Sequence, residues 1–573
     1  MAEEQYFQMR RFTIAAALFS AALTLFSCSG GKADVTTSGR VVGAYVYGIR
    51  EALPDPSLMT HINFAFGGVA EDFSSLEMNS TEDLDKVVAL KKANPSLKVL
   101  LSVGGWGAGR FSEMASDPVK RESFAKSCAD FASAHNLDGI DIDWEYPGSD
   151  MAGISASEQD TENFTLLMKD LRNALGNDKL LTFASACNAE HVDFPGVLPW
   201  VDFVNVMSYD MGFGHLHHSS LYRSGISGDF TADEAVKAHI RKGVPASMIV
   251  MGMPFYGRGS SEYQGWGIVG KRDQDTEVWD EVAKVPYYAD SDTGELLYGF
   301  ENIRSLTEKC DYIKENGLLG GMYWSYSPGR IDFAKTVWDN LNGERDLTDV
   351  LVLTERGGQH GTFTDAALAW LRDNPSLSIT EINSARVITE DYLSHFDLMI
   401  QLDFPPYTWP ERAENAFVKA IEEGTIGWIG FHHATLLGEF DGYGMWNWFS
   451  SFMGGIRFRN YIAERADGTV HVEDPNHPVM KGVESTFVLK GDEWYTYDKD
   501  PRDNPSIHVL ASVDEDSYTP PSDIKMGDHP VIWTNTSVGA RNVYFQFGHA
   551  DVMFESENFI TLFSNAISWA SGK

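Results

Sequence analysis

Three acidic residues at alternate positions form the strongest chemical feature of this chain. Asp141, Asp143 and Glu145 belong to the segment DGIDIDWEYP, which begins at Asp138. Successive side chains of a β-strand point to opposite faces, so in a strand these three carboxyl groups share one face. Like charges at this spacing cannot all ionise at low cost, and at least one holds a proton near neutral pH, as a general acid requires. The segment therefore predicts acid catalysis, with a metal site or a solvated acidic strand end as the alternative.

The acidic segment lies within a long alternation of strand-like and helix-like stretches. Short apolar runs and amphipathic stretches alternate up to about residue 340, which is typical of βα units on a parallel sheet. Eight such strands within roughly 300 residues predict a (β/α)8 TIM barrel, and these barrels carry their chemistry at the carboxyl ends of the strands. The strands are predicted at residues 41–47, 61–66, 98–103, 139–144, 181–186, 203–208, 249–255 and 320–325.

A second α/β pattern begins near Arg345, after a helix-like stretch at residues 331–341 that would close the barrel. We predict a second α/β domain there, and its length is ordinary for one domain. Its predicted strands include residues 350–354, 397–402, 425–431, 486–489 and 543–547, and its predicted helices include 364–371, 411–422 and 558–570. The barrel domain is thus expected at residues 40–344 and the second domain at 346–573.

The net charge of the chain indicates which kinds of molecule it binds. The chain has 573 residues, of which 45 are Lys or Arg and 82 are Asp or Glu, so its formal net charge is -37. Such a surface repels nucleic-acid phosphates and anionic lipid surfaces. We therefore expect no nucleic-acid partner and favour a neutral polymer.

The first residues resemble an export signal. Arg10 and Arg11 precede an apolar stretch at residues 12–26, which is too short to span a bilayer and is typical of a signal peptide. The stretch ends in LFSC at Cys28, which resembles the lipobox of bacterial lipoproteins, where the cysteine becomes the lipidated N-terminus. We expect a signal peptide at residues 1–28, a flexible tether at 29–39 and anchoring to the bacterial cell envelope through Cys28. The alternative is an ordinary cleaved signal with an incidental cysteine.

The motifs at the strand ends resemble glycoside hydrolase family 18, the chitinases and their relatives. The acidic run matches the DxxDxDxE signature of that family, and the sequence SVGGW at residues 102–106 resembles its SxGG segment. The sequences MSYD at 207–210, MPFYGR at 253–258 and GMYW at 321–324 follow at the later strand ends. The resemblance covers essentially all of the predicted barrel.

The resemblance implies roles for four catalytic residues. In this family the N-acetyl group of the substrate is the nucleophile and forms an oxazolinium ion, so no second carboxylate nucleophile is needed. Glu145 would protonate the leaving oxygen and later deprotonate water. Asp143 would hold the acetamido N–H, Asp141 would tune Asp143 by sharing a proton, and Tyr209 would donate its hydroxyl to the acetamido oxygen.

Other residues in these motifs would contact the sugar, and the reaction needs no cofactor or metal. Trp324 would form an apolar floor, and Trp106 a platform on the leaving-group side. For Trp106, Tyr45 and Arg258, ordinary packing or a structural ion pair is the alternative. The full set of expected substrate-binding residues is Asp138, Asp210, Trp324, Trp106, Met207, Tyr45, Tyr256 and Arg258.

The expected substrate is a polysaccharide or oligosaccharide that contains N-acetylglucosamine β-1,4 bonds. The WEYP form resembles the chitinases more than the endo-β-N-acetylglucosaminidases that act on N-glycans. Little sequence separates Arg258 from the last strand, which leaves little room for an additional α+β insert and predicts an open groove with endo-action. A non-catalytic chitin-binding lectin is a third possibility, which the intact Glu145 disfavours.

Residues 346–573 resemble the ThuA-like (trehalose utilisation) domains, relatives of the class I glutamine amidotransferase fold, which is flavodoxin-like. The matching segments include GWIGFHHA at 427–434, DEWY at 492–495, GDHP at 527–530 and FGH at 547–549. Imidazoles at such strand ends suit acid–base chemistry or metal binding. A sugar-binding or purely structural domain is the alternative. The candidate site residues are His432, His433, Glu493, His529 and His549.

Overall fold

The computed structural model describes residues 39–49, 53–259, 275–355, 361–440, 442–462 and 464–573. The predicted signal peptide, Cys28 and all of the predicted tether except its last residue lie outside the described residues. Within those ranges, no helix combines the length and the apolar character needed to cross a bilayer.

The first domain is a closed parallel barrel, as the alternation of elements predicted. Its first strand pairs in parallel with both the second and the last strand, which closes the ring. The strand bounds agree with the predicted ones to within a few residues, and the second strand is longer than predicted. The eight barrel strands are Val41–Tyr47, His61–Val69, Lys98–Gly104, Gly139–Asp143, Leu180–Ala186, Phe203–Met207, Ile249–Pro254 and Gly320–Trp324.

Alternation along each strand divides the barrel residues between two environments. In the third strand, Val99, Leu101 and Val103 belong to the core between strands and helices, whereas Ser102 points into the barrel. The barrel interior holds a smaller apolar cluster that includes Tyr45. The surrounding helices are Glu82–Ala89, Phe111–Ser116, Pro118–Ala134, Asp160–Leu175, Phe194–Val197, Ala232–Arg241, Ile303–Glu315 and Ile331–Asn342.

Between the seventh strand and helix Ile303–Glu315, the chain forms an antiparallel sheet. Its four strands are Arg258–Gly259, Asp275–Asp280, Val285–Asp290 and Leu296–Gly299. The sequence analysis expected little room here for an additional α+β insert, and the described part of this stretch holds the sheet and no helix. Short antiparallel strands need only tight turns between them, so a compact sheet fits in this short segment.

The second domain is built on a nine-stranded mixed sheet. Five strands on one side run parallel, and the four strands on the other side are antiparallel. The sequence pattern predicted most of the parallel part but not the edge strand Leu377–Ile382 or the antiparallel strands Ala466–Val472, Ile507–Thr519 and Pro530–Asn535. The order across the sheet is Leu377–Ile382, Thr348–Thr354, Leu398–Leu402, Gly427–Phe431, Asn542–Phe545, Pro530–Asn535, Ile507–Thr519, Ala466–Val472 and Thr486–Asp492.

Helices cover this sheet, and a small separate ribbon lies beside it. Strands Phe458–Tyr461 and Tyr495–Tyr497 pair with each other in that ribbon. The helices are Gly361–Arg372, Glu390–Leu393, Glu411–Glu423, Asn447–Phe452 and Glu557–Ser571.

Polar contacts join the two domains where helix Ile331–Asn342 gives way to strand Thr348–Thr354. Lys335 Nζ donates to Asp349 Oδ2 at 2.7 Å, from the last barrel helix to the first strand of the second domain. Asp55 is buried and accepts a hydrogen bond from the Ser378 hydroxyl at 2.5 Å. The predicted boundary near Arg345 therefore falls in a short connection between two packed units.

Candidate functional site

The acidic residues of the fourth barrel strand point into the barrel mouth on one face. Asp141 is fully buried and accepts hydrogen bonds at both carboxylate oxygens. Its Oδ2 accepts from the hydroxyls of Tyr45 at 2.8 Å and Ser102 at 2.9 Å. Its Oδ1 accepts from the Thr182 hydroxyl at 2.6 Å and the Asn205 amide at 3.1 Å. Burial raises the pKa of Asp141, and these four hydrogen bonds offset part of that rise.

The next two carboxyl groups, of Asp143 at the end of the strand and Glu145 just after it, both have raised pKa values. Burial, followed by the negative charges of Glu145 and Asp141, raises the pKa of Asp143 well above its ordinary range. Burial also raises the pKa of Glu145 to about 7, and the charge of Asp210 adds to this rise. Within the described residues, Asp143 Oδ1 is buried without a hydrogen-bond partner. The buried Asp143 Oδ1, a hydrogen-bond acceptor, is thus two residues away from Glu145, whose carboxyl group has a pKa near neutral pH.

A second group of polar residues lies at the ends of the sixth and seventh strands. Arg258 forms a bidentate pair with Asp210, with Nε donating to Oδ1 at 2.7 Å and the terminal nitrogen to Oδ2 at 2.6 Å. His218 Nδ1 lies 3.4 Å from the same Oδ1. Burial would raise the pKa of Asp210, but its hydrogen bonds to Arg258 and His218 outweigh that effect and lower the pKa. Asp210 is therefore a fixed negative charge close to Glu145.

The hydroxyls of Tyr209 and Tyr256 stay protonated beside these carboxylates. Burial comes first among the causes that raise both pKa values, and the charges of Asp143, Glu145 and Asp210 add to the rise for Tyr209. The two rings meet edge to face, with their centroids 6.3 Å apart. Tyr209 is therefore a hydrogen-bond donor at the barrel mouth.

Aromatic side chains line the space above the carboxyl groups. Trp324 is stacked on Phe66, with the ring centroids 5.6 Å apart, and its edge contacts Tyr45. Trp106 is 59% exposed and has its ring centroid 6.4 Å from that of Tyr146. Flat apolar faces of this kind stack on the apolar face of a sugar ring. The mouth thus combines a partly buried indole with an exposed one.

The glycine at the end of the third strand permits the close packing of this site. Gly104 has a φ of +127°, and a Cβ placed there would lie 2.0 Å from the carbonyl oxygen of Asp143. Any side chain at this position would push the third and fourth strands apart. The SxGG motif therefore reflects the space needed beside Asp143.

Asp138 lies at the other end of the fourth strand from Asp143 and Glu145. Its Oδ2 accepts hydrogen bonds from Lys91 Nζ at 2.7 Å and from the Val99 backbone N–H at 2.9 Å. A strand advances about 3.3 Å per residue, so Asp138 lies well below Asp141. Its position contradicts the predicted sugar contact and indicates a structural role in joining two neighbouring strands.

The other predicted substrate-binding residues are near the mouth. Met207 and Tyr45 belong to the apolar cluster inside the barrel, against which Trp324 and Tyr209 pack. Arg258 also lies 5.2 Å from the centre of the Tyr256 ring. Met207 and Tyr45 would thus contact a sugar from inside the barrel, and Arg258 would contact it from the side of Tyr256.

Sequence reasoning missed the residues that hold Asp141 in place. Ser102, Thr182 and Asn205 lie on three different strands and all donate to Asp141. The available signal was a polar residue at an inward-facing position of an otherwise apolar strand. His218 carried no such signal, because it lies in the loop after the sixth strand.

In the second domain, the structure brings four of the five predicted residues together. His432 and His433 follow strand Gly427–Phe431, and their rings stack with centroids 5.2 Å apart. Glu493 lies 3.0 Å from His549 Nε2 and 3.8 Å from His432 Nε2. These residues meet at the carboxyl edge of the parallel strands, where open α/β sheets bind their ligands.

The fifth residue, His529, occupies a closed hydrogen-bond network. Its Nδ1 contacts Glu515 at 2.8 Å and its Nε2 lies 2.8 Å from the carbonyl oxygen of Tyr495. Gln546 links this network to the His432 cluster, since its carbonyl oxygen bonds His432 Nδ1 at 2.9 Å. His529 therefore supports the cluster rather than facing a ligand directly.

The protein-family comparison divides the chain in the same way as the structure. Residues 38–328 match the family model of the glycosyl hydrolases family 18. Residues 349–570 match the family model described as trehalose utilisation.

Similar proteins of known name match the barrel part of the chain. Chitinase A1 of Niallia circulans is 30% identical, over 52% of this chain and 51% of that protein. Chitotriosidase-1 of Mus musculus is 32% identical, over 47% of this chain and 67% of that protein. The chain therefore spans about half the length of the bacterial relative. A solved family 18 N-acetylglucosaminidase from Paenibacillus barengoltzii is 33% identical, over 53% of this chain and all of that one, with a TM-score of 0.48.

Proposed function

Because the chain belongs to the glycosyl hydrolases family 18, we propose that it cleaves β-1,4 bonds next to N-acetylglucosamine in chitin or chitooligosaccharides. The observation that carries the proposal is the placement of Glu145 just after the strand that holds the buried Asp141 and Asp143, where burial raises the pKa of Glu145 to about 7. A general acid works best when its pKa lies near the working pH. The two relatives named above are both named as chitin-degrading enzymes.

We propose that the first step is substrate-assisted. The acetamido carbonyl oxygen of the substrate attacks the anomeric carbon while Glu145 protonates the departing glycosidic oxygen. The positive charge that develops on the resulting oxazolinium ion is stabilised by Asp143, whose buried Oδ1 accepts the acetamido N–H. The Tyr209 hydroxyl donates to the acetamido oxygen and holds it in line for attack.

In the second step, Glu145 acts as a base. It takes a proton from a water molecule that opens the oxazolinium ion, which restores the protonated acid for the next cycle. Two inversions at the anomeric carbon give net retention, so the β-anomer forms first. Asp141, fixed by four hydrogen bonds, takes part by sharing the proton of the Asp141–Asp143 pair.

A direct comparison of substrates tests the substrate class. Chitooligosaccharides and a high-mannose glycoprotein are incubated separately with the enzyme, and the products are separated by mass. The proposal expects short chitooligosaccharides from the first and intact glycans on the second. Release of the glycan alone would favour endo-β-N-acetylglucosaminidase activity, and binding without products would favour a lectin.

We further propose that the protein is exported and is anchored to the cell envelope through lipidated Cys28. The support is the apolar segment that precedes Cys28 and the short linker that follows it. A lipid-anchored enzyme would act on polymer outside the cytoplasm, where chitin fragments are encountered.

A further inference from the structure

A histidine–carboxylate–histidine cluster lies in the second domain, far along the chain from the glycosidase motifs. It consists of His432, Glu493 and His549, whose ligand atoms all lie within 4.8 Å of one another. Both histidine side chains are fully buried, and Glu493 is 14% exposed. Only the carboxylate of this cluster reaches solvent.

The surrounding residues fix the direction in which each group points. His432 Nδ1 donates to the carbonyl oxygen of Gln546 at 2.9 Å, which directs its Nε2 towards Glu493. Asp492 accepts from the backbone N–H groups of Glu493 at 2.8 Å, Gly548 at 3.0 Å and His549 at 3.3 Å. One buried carboxylate thus holds the segments that carry two members of the cluster. Such outer contacts are typical of metal-binding histidines and carboxylates.

Two further buried carboxyl groups lie beside the cluster. Asp403 and Asp492 are at most 1% exposed, and Asp403 interacts electrostatically with His432 and Asp492. Neither carboxylate oxygen of Asp403 has a hydrogen-bond partner of good geometry among the described residues. In the ranges that the structure covers, no Lys or Arg pairs with Asp403, Asp492 or Glu493. A cation bound at the cluster would therefore meet carboxyl groups and no competing positive side chain of Lys or Arg among the described residues.

We propose that the second domain binds one divalent metal ion, zinc or a chemically similar ion, through His432 Nε2, Glu493 and His549 Nε2. Two imidazoles and one carboxylate are a zinc ligand set that leaves a fourth position open. Ligand atoms around tetrahedral zinc lie about 3.3 Å apart, given bonds of about 2.0–2.1 Å. His432 Nε2 lies 3.8 Å from Glu493 Oε2, and His549 Nε2 lies 3.0 Å from Glu493 Oε1, so the two carboxylate oxygens each face one imidazole. The open position takes water or an oxygen of a small polar ligand that approaches along Glu493.

A second group of possible metal ligands lies at the junction of the two domains. It can be compared with the His432, Glu493 and His549 cluster in the same protein. It comprises Asp332, Asp391 and His395. There, Arg330 already pairs with Asp332 at 2.9 Å. An arginine in place supplies the compensating charge, so this group needs no metal ion.

Zinc titration of the full chain tests the proposal. The protein is purified with a histidine-free tag, stripped with a chelator and titrated with Zn²⁺ by calorimetry. We expect one ion per chain, and at least about 100-fold weaker binding in a Glu493→Gln/His549→Gln double variant, since loss of even outer-shell partners costs 10–100-fold. His508→Gln, on the same domain, and Asp391→Asn, at the junction, are the controls and should bind as the wild type does.

Three results would overturn the proposal. They are no binding by the wild type, unchanged binding by the double variant, or loss of binding in Asp391→Asn. A second measurement needs no variant, because Co²⁺ bound tetrahedrally absorbs strongly in the visible range and six-coordinate Co²⁺ absorbs weakly. Weak absorption by the Co²⁺-loaded wild type contradicts the proposed ligand set. Hydrolysis of chitooligosaccharides should be the same in all of these variants, so the test is independent of the proposed glycosidase activity.

Discussion

Replacing Glu145 by glutamine should make the barrel more stable and the enzyme much less active. The pKa of Glu145 rises from an ordinary value of 4.5 to about 7 in the fold, chiefly because of burial. Each pKa unit corresponds to about 1.4 kcal/mol, so ionised Glu145 costs the folded state up to about 3 kcal/mol. Glutamine has nearly the same shape and carries no charge.

The sign of this effect depends on pH. Below the unfolded pKa, Glu145 is protonated in both states and the cost is absent. The cost grows as pH rises through the interval from 4.5 to about 7 and is complete above it. Glu145→Gln should therefore raise the free energy of unfolding by up to about 3 kcal/mol at pH 8 and by almost nothing at pH 4.

Paired measurements of unfolding and turnover test this reasoning. Thermal or urea unfolding of the barrel is followed at pH 4 and pH 8, and turnover on a chitooligosaccharide is measured near pH 6. Turnover should fall by about 10²- to 10⁴-fold, which is the usual contribution of a positioned acid. Glu190→Gln, which changes an exposed carboxyl group of the same domain, is the control and should change neither quantity. A stability gain that is equal at both pH values, or near wild-type turnover, would refute the assignment.

Three further predictions concern other parts of the chain. Asp210→Asn removes a negative charge that raises the pKa of Glu145, so the basic limb of the kcat/KM profile should move to lower pH, and an unmoved limb would contradict the coupling. Cys28→Ser should abolish labelling by a palmitate analogue and release the protein from membranes, whereas an unlabelled wild type argues against the lipid anchor. The second domain should not release ammonia from glutamine, because residues 346–573 contain no cysteine to form the thioester; ammonia release by the full chain would show another nucleophile.

The barrel was predictable because its signal is local. Each strand is a short apolar run with a helix after it, and the spacing of Asp141, Asp143 and Glu145 places them on one face whatever the rest of the fold does. The hydrogen bonds to Asp141 are different in kind. They come from Ser102, Thr182 and other residues some 40 positions or more away, so only barrel closure reveals them.

The predicted sugar contact of Asp138 was wrong because its sequence motif spans both ends of one strand. Asp138 belongs to the same signature as Glu145 but precedes the strand Gly139–Asp143, whereas Glu145 follows it. A motif reports that residues occur together, but the rise of a strand separates them in space. The small sheet after the seventh strand was not predicted, since sequence length bounds a segment but does not determine how compactly it folds.

The two sites solve one electrostatic problem in different ways. Each gathers several buried carboxyl groups, and among the described residues no Lys or Arg pairs with Asp141, Asp143 or Glu145. Asp141, Asp143 and Glu145 have no histidine among them to act as a nitrogen ligand, so a proton is the cation that compensates their charge. A proton held near neutral pH is what acid catalysis needs. In the second domain, His432 and His549 add nitrogen ligands to the carboxylate of Glu493, and this ligand set suits a metal ion. The histidines thus distinguish a site that holds a proton from one suited to hold a metal.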